Sequence, residues 1–321
     1  MPRASPVGWF WPAFVMLMLG CATDSQFVSS YSLDSPSPSV ELDETPFFPQ
    51  SDDQCGPAAL ATILNQSGVE VGLEEARSAV YIPERQGSLQ VELVAAIRGY
   101  GRVPYQIEPR LSSLIAELQA GRPVLILQNL GIKIAPLWHY AVVVGHSPEE
   151  RQIVLRSGSI KRHVLSEAKF LRSWRRAGYW GVVALRPSEL PAVADEGSYL
   201  TAVAAMESVG QYHAALQAYD AALTRWPGST LARLGLGNSQ YALDDLINAE
   251  QTYRSLLATH PEHVIALNNL AQTLTERGCT GEATTLIEAA FDVPDTPEWL
   301  LASLTATNRA ISEIGEGSCR N

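Results

Sequence analysis

The stretch Gln54-Cys55-Gly56-Pro57-Ala58-Ala59-Leu60-Ala61 places a cysteine at the start of an apolar run that contains an early proline. Proline suits the first turn of a helix, and the apolar residues that follow share one face, so a helix is predicted from Cys55 to Asn65. A helix dipole and a nearby imidazolium both favour a thiolate, which lowers a cysteine pKa from about 8.5 to roughly 3.5–7.5. Because the thiolate is the nucleophilic form, the stretch indicates a thiol hydrolase whose base is a histidine elsewhere in the sequence.

A histidine suited to that role occurs in the run Trp138-His139-Tyr140-Ala141-Val142-Val143-Val144-Gly145, which predicts a strand. The other predicted strands cover 103–107, 123–128, 152–155 and 180–185. The other predicted helices cover 73–80, 89–100 with Ser88 as its cap, 111–120 and 166–176. Helices that precede an antiparallel sheet predict an α+β fold for residues 47–190.

Several segments in this range carry a family resemblance: Gln50, Cys55-Gly56-Pro57-Ala58-Ala59-Leu60, Gly87-Ser88-Leu89, Gly121-Arg122-Pro123-Val124-Leu125-Ile126 and His139-Tyr140-Ala141-Val142-Val143-Val144-Gly145. They resemble the bacteriocin-processing, double-glycine leader peptidases, which are papain-like cysteine peptidases. The resemblance implies that Cys55 is the nucleophile, His139 its base and Gln50 an oxyanion donor, with Gln54 as the substitute donor. It also implies a peptide or protein substrate cut through a thioester. A same-fold alternative passes the acyl group to an amine or thiol instead of water.

One position departs from the family pattern. In the family, an aspartate followed by proline usually ends the strand after the histidine strand, and here that pair falls on Arg156-Ser157. The aspartate orients the imidazole and stabilises its charged form. An arginine has no acceptor for this purpose, whereas Ser157 can accept a hydrogen bond without contributing charge. Two functions therefore stay open: an active cysteine peptidase with Ser157 as the orienting residue, and a catalytically silent papain-like protein that binds partners.

The N-terminal 20 residues have the pattern of an export signal, because the short apolar run Val7–Leu19 follows a single arginine. A small residue before Cys21 resembles a bacterial lipoprotein box, which implies cleavage and acylation at that cysteine; the alternative is ordinary cleavage to a soluble product. Ala22 favours sorting to the outer membrane, so we expect a lipoprotein that faces the periplasm. Residues 21–46 are rich in serine and proline and poor in apolar residues, which predicts a disordered tether.

From residue 199 to 294, small and aromatic residues recur with a period of 34. The recurring sets are Ala215, Ala249 and Ala283; Tyr219, Tyr253 and Ile287; and Val203, Gly237 and Ala271. The period resembles the tetratricopeptide repeat, which pairs two helices per unit and needs a capping helix, here 297–311. The resemblance implies an all-α domain over 191–321 that binds a protein partner or substrate. The alternative is an array that supports the preceding domain.

Charge and cysteine content restrict the remaining possibilities. Residues 191–321 contain 16 acidic residues, six arginines and no lysine, in a chain of net charge −11, and nothing in this pattern indicates nucleic-acid binding. No cysteine, histidine and carboxylate spacing suggests zinc and no glycine loop suits a phosphate, so no metal or cofactor is expected.

With Cys21 assigned to lipid and Cys55 to chemistry, we expect Cys279 and Cys319 to form a disulfide, the alternative being two separate thiols.

Overall fold

The computed structural model describes residues 38–49 and 54–315, together with residues 317 and 319. The predicted export signal, Cys21 and the first part of the predicted tether lie outside the described residues, and so does Gln50. What the sequence predicts for them stays a prediction.

Residues 40–185 form a unit of helices and one antiparallel sheet. The strands are β1 (Val40–Glu41), β2 (Val103–Gln106), β3 (Val124–Asn129), β4 (Trp138–Ser147), β5 (Gln152–Ser157), β6 (Ile160–Ser166) and β7 (Gly181–Leu185). Their order across the sheet is β2-β7-β3-β4-β5-β6, and β1 pairs with the C-terminal part of β4. The helices are α1 (Cys55–Gln66), α2 (Leu73–Val80), α3 (Gln90–Gly99), α4 (Leu111–Gln119) and α5 (Glu167–Arg175). This arrangement confirms the predicted α+β fold class.

The sheet lies between two layers of helices because its central strands are apolar on both faces. Every residue of β3 is buried. Successive side chains of a strand point to opposite faces, so Leu125 joins the core with Leu60 of α1, whereas Ile126 joins the core with Leu118 of α4 and Phe170 of α5. Burying each of these side chains contributes about 1.5–3 kcal/mol.

Two strands differ from the sequence predictions. β1 lies within the predicted tether: Val40 pairs with His146, and the Leu42 N–H donates to the Val144 carbonyl at 2.8 Å, so the fold begins before residue 46. β6 is an edge strand in which four of the seven residues are exposed and four are polar, so no apolar alternation identifies it in the sequence.

Residues 196–314 form a stack of helices in which successive helices pack on each other. Their bounds are α6 (Glu196–Glu207), α7 (Tyr212–Arg225), α8 (Thr230–Ala242), α9 (Leu246–Thr259), α10 (Val264–Glu276), α11 (Thr280–Phe291) and α12 (Glu298–Ile314). Small residues permit close packing of the helices: a Cβ added to Gly237 would lie 2.5 Å from the Tyr253 ring. The helix α12 packs on α10 and α11 as the predicted cap, and the stack confirms the predicted all-α repeat region.

The first repeat shares a hydrophobic core with the sheet. Tyr199 and Val203 of α6 belong to the same buried cluster as Tyr105 of β2. The Tyr105 hydroxyl donates to the Val193 carbonyl at 3.2 Å and accepts from the Asp195 N–H at 3.2 Å. The two predicted domains are therefore packed through one continuous core.

The end of the chain is attached to the last repeat. Cys279, the N-cap residue of α11, forms a disulfide with Cys319, and the Gly317 N–H donates to Thr280 Oγ1 at 3.0 Å. These contacts hold the segment after α12 against the start of α11. Within the described ranges, no helix has both the length and the apolar composition that crossing a membrane requires.

Candidate active site

Cys55 is the first residue of α1. Gln54 precedes it as the N-cap residue and makes no side-chain cap hydrogen bond, and the first turn of the helix contains no acidic residue. No first-turn carboxylate therefore offsets the positive end of the helix dipole. Cys55 is 9 % exposed, so the helix presents its thiol in a largely desolvated position.

Gly56 allows the start of α1 to approach the segment before α3 and the start of β4. A Cβ added to Gly56 would lie 2.3 Å from Ser88 Oγ and 3.7 Å from Tyr140 Cδ2. The Tyr140 hydroxyl donates to the Ser88 carbonyl at 3.4 Å. Close packing therefore requires a glycine directly after the cysteine.

Ser88 does not have its predicted role as a helix cap. The helix α3 begins at Gln90 with Leu89 as the N-cap residue, and no side chain caps it. Ser88 Oγ is buried and makes no hydrogen bond among the described residues. Leaving a buried hydroxyl without a partner costs about 1–3 kcal/mol, so packing against Gly56 takes precedence over capping at this position.

His139 is half-buried near the start of β4, and its ring contacts the end of the neighbouring strand. Nε2 of His139 lies 2.8 Å from Oγ of Ser157, the last residue of β5. Ser157 thus occupies the position from which a third residue orients an imidazole. The sequence departs from the family pattern at two residues, Arg156 and Ser157. Of these, Ser157 is the one whose side chain contacts the His139 imidazole.

The packing of α1 on β4 places Cys55 and His139 on adjoining elements. Tyr140, the residue after His139, has its pKa raised chiefly by burial and further by the negative charge of Cys55. Gly56, the residue after Cys55, also packs against the Tyr140 ring, since a Cβ added there would lie 3.7 Å from Tyr140 Cδ2. The structure therefore brings the candidate nucleophile to the start of the strand that carries the candidate base.

Arg156 holds the N-terminal segment against the sheet through hydrogen bonds. Its guanidinium donates to the main-chain carbonyls of Leu42 (3.3 Å), Asp43 (2.9 Å), Thr45 (3.2 Å) and Lys161 (2.8 Å). Burial lowers the pKa of Arg156, and the nearby Glu41 carboxylate opposes that shift. Sequence reasoning missed this role, although a charged residue directly after the apolar run 153–155 of a predicted strand is a signal for a buried charge with dedicated partners.

The segment beyond this attachment covers the site from one side. Phe47 and Phe48 line a cavity of about 10 Å³ together with Tyr140 and Ser157. Such a cavity is at the lower limit of what can hold one water molecule, so the N-terminal segment is packed tightly here. Residues 50–53 lie outside the described residues, so the oxyanion role of Gln50 stays a prediction, while the substitute donor, Gln54, is half-buried beside Cys55.

The chemical groups assembled here are a thiol, an imidazole and a hydroxyl, which suit nucleophilic attack and proton transfer. Among the residues that the structure describes, no group of three or more histidine, cysteine, aspartate or glutamate side chains is arranged to hold a metal ion.

Two family models match the chain. The Peptidase_C39 like family matches residues 42–182, and the tetratricopeptide repeat matches residues 199–257. The first match contains Cys55, His139 and Ser157, and the second covers most of the first two helix pairs. The chain therefore contains a Peptidase_C39-like domain followed by tetratricopeptide repeats. A comparison with curated proteins finds no match.

Three solved structures are similar to the first of these domains. A C39-like peptidase from Bacillus anthracis is 16% identical, with a TM-score of 0.40, and the match covers 46% of this chain and 96% of that chain. A double glycine motif protease from an AMS/PCAT transporter, in complex with the leader peptide, is 21% identical, with a TM-score of 0.33, covering 44% and 91%. The peptidase domain of Streptococcus ComA, a bifunctional ABC transporter of a quorum-sensing pathway, is 19% identical, with a TM-score of 0.36, covering 44% and 99%.

Proposed function

We propose that the chain is a cysteine peptidase in which Cys55 is the nucleophile, His139 the base and Ser157 the residue that positions His139. The observation that carries the proposal is the 2.8 Å contact between His139 Nε2 and Ser157 Oγ, next to the helix start that bears Cys55. With Nε2 engaged by Ser157, Nδ1 is the ring nitrogen that serves the thiol. A thiol paired in this way with an imidazole is activated as a thiolate.

The reaction proceeds in two stages. The Cys55 sulfur attacks the carbonyl carbon of a peptide bond, and the imidazolium of His139 gives its proton to the departing amine, which leaves a thioester on Cys55. His139 then takes a proton from water, which attacks the thioester, releases the acid and regenerates the thiol. The Cys55 N–H lies in the first turn of α1, where amides are available to a developing oxyanion, and Gln50 is the proposed second donor.

The test is alkylation of the purified chain by an epoxide-type cysteine-protease inhibitor, read by intact mass. Cys21 is a second thiol wherever it carries no lipid, so Cys55→Ser identifies the site of labelling. We expect one inhibitor molecule per chain, lost in Cys55→Ser and strongly slowed in His139→Ala. Labelling that proceeds equally well without His139 would show that the thiol is not activated by the imidazole.

The second candidate function is a catalytically silent protein that recognises a peptide segment without cutting it. The observation that favours it is the neutral hydroxyl of Ser157 beside His139, which contributes no charge to stabilise an imidazolium. In that case, wild type and His139→Ala give the same slow labelling, and the folded chain still binds its target.

We propose that the tetratricopeptide repeats bind a protein partner or substrate. The proposal is supported by exposed apolar side chains two periods apart, Leu231 on α8 and Trp299 on α12, in a strongly acidic region. The test replaces both by alanine: co-purification of the partner is lost while inhibitor labelling of Cys55 is unchanged. If the variant and the wild type co-purify the partner equally, these side chains do not bind it, and the repeats would only support the first domain.

We propose that the chain is exported and anchored to the outer membrane by lipid on Cys21, facing the periplasm. The support is the N-terminal sequence: the apolar run Val7–Leu19 followed by a small residue and Cys21. Metabolic labelling with a radioactive fatty acid should label the wild type and not Cys21→Ser. Equal incorporation in the two would place any lipid elsewhere.

A further inference from the structure

The connection between β3 and β4 is an apolar hairpin that projects from the sheet directly before His139. We use the name apolar hairpin for residues 130–138. Its exposed large apolar side chains are Leu130, Ile132, Ile134, Leu137 and Trp138. Ile134 at the tip is 89% exposed, which is the highest value among the exposed large apolar side chains of the described residues. Five exposed large apolar side chains within nine consecutive residues are more than the scattered single ones that are normal on a surface, and such a concentration marks an interaction site.

Hydrogen bonds and close packing fix the conformation of the apolar hairpin. The buried Asn129 side chain accepts hydrogen bonds from the N–H groups of Gly131 and Leu137, each at 3.0 Å. Ile132 and Ala135 exchange main-chain hydrogen bonds of 3.1 and 3.2 Å across the tip. A Cβ added to Gly131 would lie 2.3 Å from the Ala135 carbonyl oxygen, so the turn depends on that glycine. These contacts hold the apolar side chains outward in a fixed arrangement.

Cations surround the base of the apolar hairpin. The guanidinium of Arg176, just after α5, donates to the Gly131 carbonyl. Arg172 and Arg175 of α5 are exposed near it, and Lys133 is exposed at the tip itself. The His139–Ser157 contact places the end of β5, and hence exposed Lys161 at the start of β6, at the same end of the sheet.

The segments that form the apolar hairpin and that carry Arg172, Arg175 and Arg176 contain no carboxylate to offset those cations, whereas Asp43 lies beside Lys161, because the Arg156 guanidinium binds the carbonyls of both. Residues 123–148, 157–166 and 168–188 include no aspartate and no glutamate, although the whole chain has a net charge of −11. The positive charge is therefore concentrated around one projecting apolar surface. A projecting surface cannot enclose a peptide as a groove does, but it can enter an apolar layer, and its cations match anionic headgroups at the boundary of that layer.

We propose that the apolar hairpin inserts into the interface of an anionic lipid bilayer, with Ile134 deepest and the surrounding lysine and arginine side chains at the headgroups. This contact turns the end of the sheet that carries His139 and Ser157 towards the membrane surface. It is independent of whether Cys55 is catalytically active and of whether Cys21 carries lipid.

The test is amide hydrogen exchange of the full chain, alone and with phosphatidylcholine vesicles that do or do not contain phosphatidylglycerol. Amide exchange is resolved along the chain, so it reports on residues 130–138 even when another part of the chain binds the vesicles. We expect slower exchange in these residues with anionic vesicles and a smaller effect with neutral ones. Ile134→Glu should remove the protection, because burying an isoleucine is worth at least about tenfold in partitioning. The matched control, Ile247→Glu, changes an exposed isoleucine of α9 in the repeats and should keep the protection.

Three outcomes would overturn the proposal. Unchanged exchange of residues 130–138 in chains bound to anionic vesicles would show that the apolar hairpin does not enter the bilayer. Equal protection by neutral and anionic vesicles would remove the role of the cations. Protection that depends on protein concentration rather than on vesicles would identify a second copy of the chain as the occupant.

Discussion

Oγ of Ser157 lies 2.8 Å from Nε2 of His139, so a hydroxyl occupies the position where a charged carboxylate orients the imidazole of many hydrolases. A hydroxyl fixes the orientation of the ring but adds no negative charge beside it. Under the proposed function, the thiolate of Cys55 is therefore the main group that stabilises the imidazolium, and Ser157 acts through geometry.

This relationship predicts a modest effect for removal of the hydroxyl. Ser157→Ala should lower the rate of inhibitor labelling at Cys55 roughly two- to tenfold, since one net hydrogen bond is worth about 0.5–1.5 kcal/mol. Ser157→Asp should restore or raise the rate and should extend labelling to higher pH, because a carboxylate favours the charged imidazole. The measurement is the labelling rate as a function of pH. A pH profile identical in all three forms would assign Ser157 a structural role alone.

Packing at the start of α1 predicts that Gly56 cannot be replaced by alanine without cost. Gly56→Ala forces the new methyl group against Ser88, and we expect a loss of about 1–3 kcal/mol in the free energy of unfolding, measured with urea. Gly99→Ala is the matched control, because a Cβ at that helical position meets no atom within 4 Å and should stabilise by about 0.5–1 kcal/mol. Equal effects of the two substitutions would contradict the contact with Ser88.

The attachment of the N-terminal segment by Arg156 predicts a large loss on its removal. Arg156→Met leaves four carbonyls, one of them that of buried Thr45, without a charged donor, so we expect about 3 kcal/mol of destabilisation and faster amide exchange at residues 40–45. The control is Arg162→Met on the neighbouring strand, which breaks an exposed ion pair with Glu41 and should have a much smaller effect. If both variants unfold alike, the segment is held by something other than the guanidinium.

Burial of His146 predicts a dependence of stability on pH. Both ring nitrogens are buried without a hydrogen-bond partner among the described residues. Glu167 Oε2 lies 3.5 Å from Nε2, and a contact of this length is too weak to offset the cost of desolvating a charged imidazole. Burial therefore lowers the pKa of His146 below its ordinary value of 6.5. As pH falls below 6.5, the unfolded chain binds the proton first, so stability falls until the lower folded pKa is passed.

The measurement is the free energy of unfolding at neutral and at mildly acidic pH, for the wild type and for His146→Gln. The wild type should lose stability on acidification through this window, and the variant should lose less. An unchanged pH dependence in the variant would mean that His146 is not the group responsible.

The features that the sequence predicted well are those with local signals. The helix that begins at Cys55 follows from an early proline and an apolar face, and β4 follows from a run of β-branched residues. The helical repeats follow from a period of 34 residues, in which small residues such as Gly237 must meet aromatic rings such as Tyr253.

The features that the sequence did not predict depend on contacts between distant residues. Three of the four carbonyls that bind Arg156 belong to residues more than 100 positions earlier in the chain, so neither β1 nor its attachment has a local pattern. β6 is a polar edge strand, and Ser88 is placed by packing against Gly56 rather than by its capping propensity. The core shared by Tyr105 and Tyr199 likewise joins two regions whose sequence patterns are independent.

The central claim, that His139 activates Cys55, is tested most directly by titration of the thiolate. The ultraviolet absorbance of the thiolate is followed against pH as the difference between the wild type and Cys55→Ser, and the same difference is taken in the His139→Ala background. In the wild type, we predict that the Cys55 thiol ionises at roughly pH 7.5 or below. Without His139, it should ionise only near about pH 8.5. A wild-type Cys55 that titrates near pH 8.5, unaffected by His139→Ala, would contradict the account.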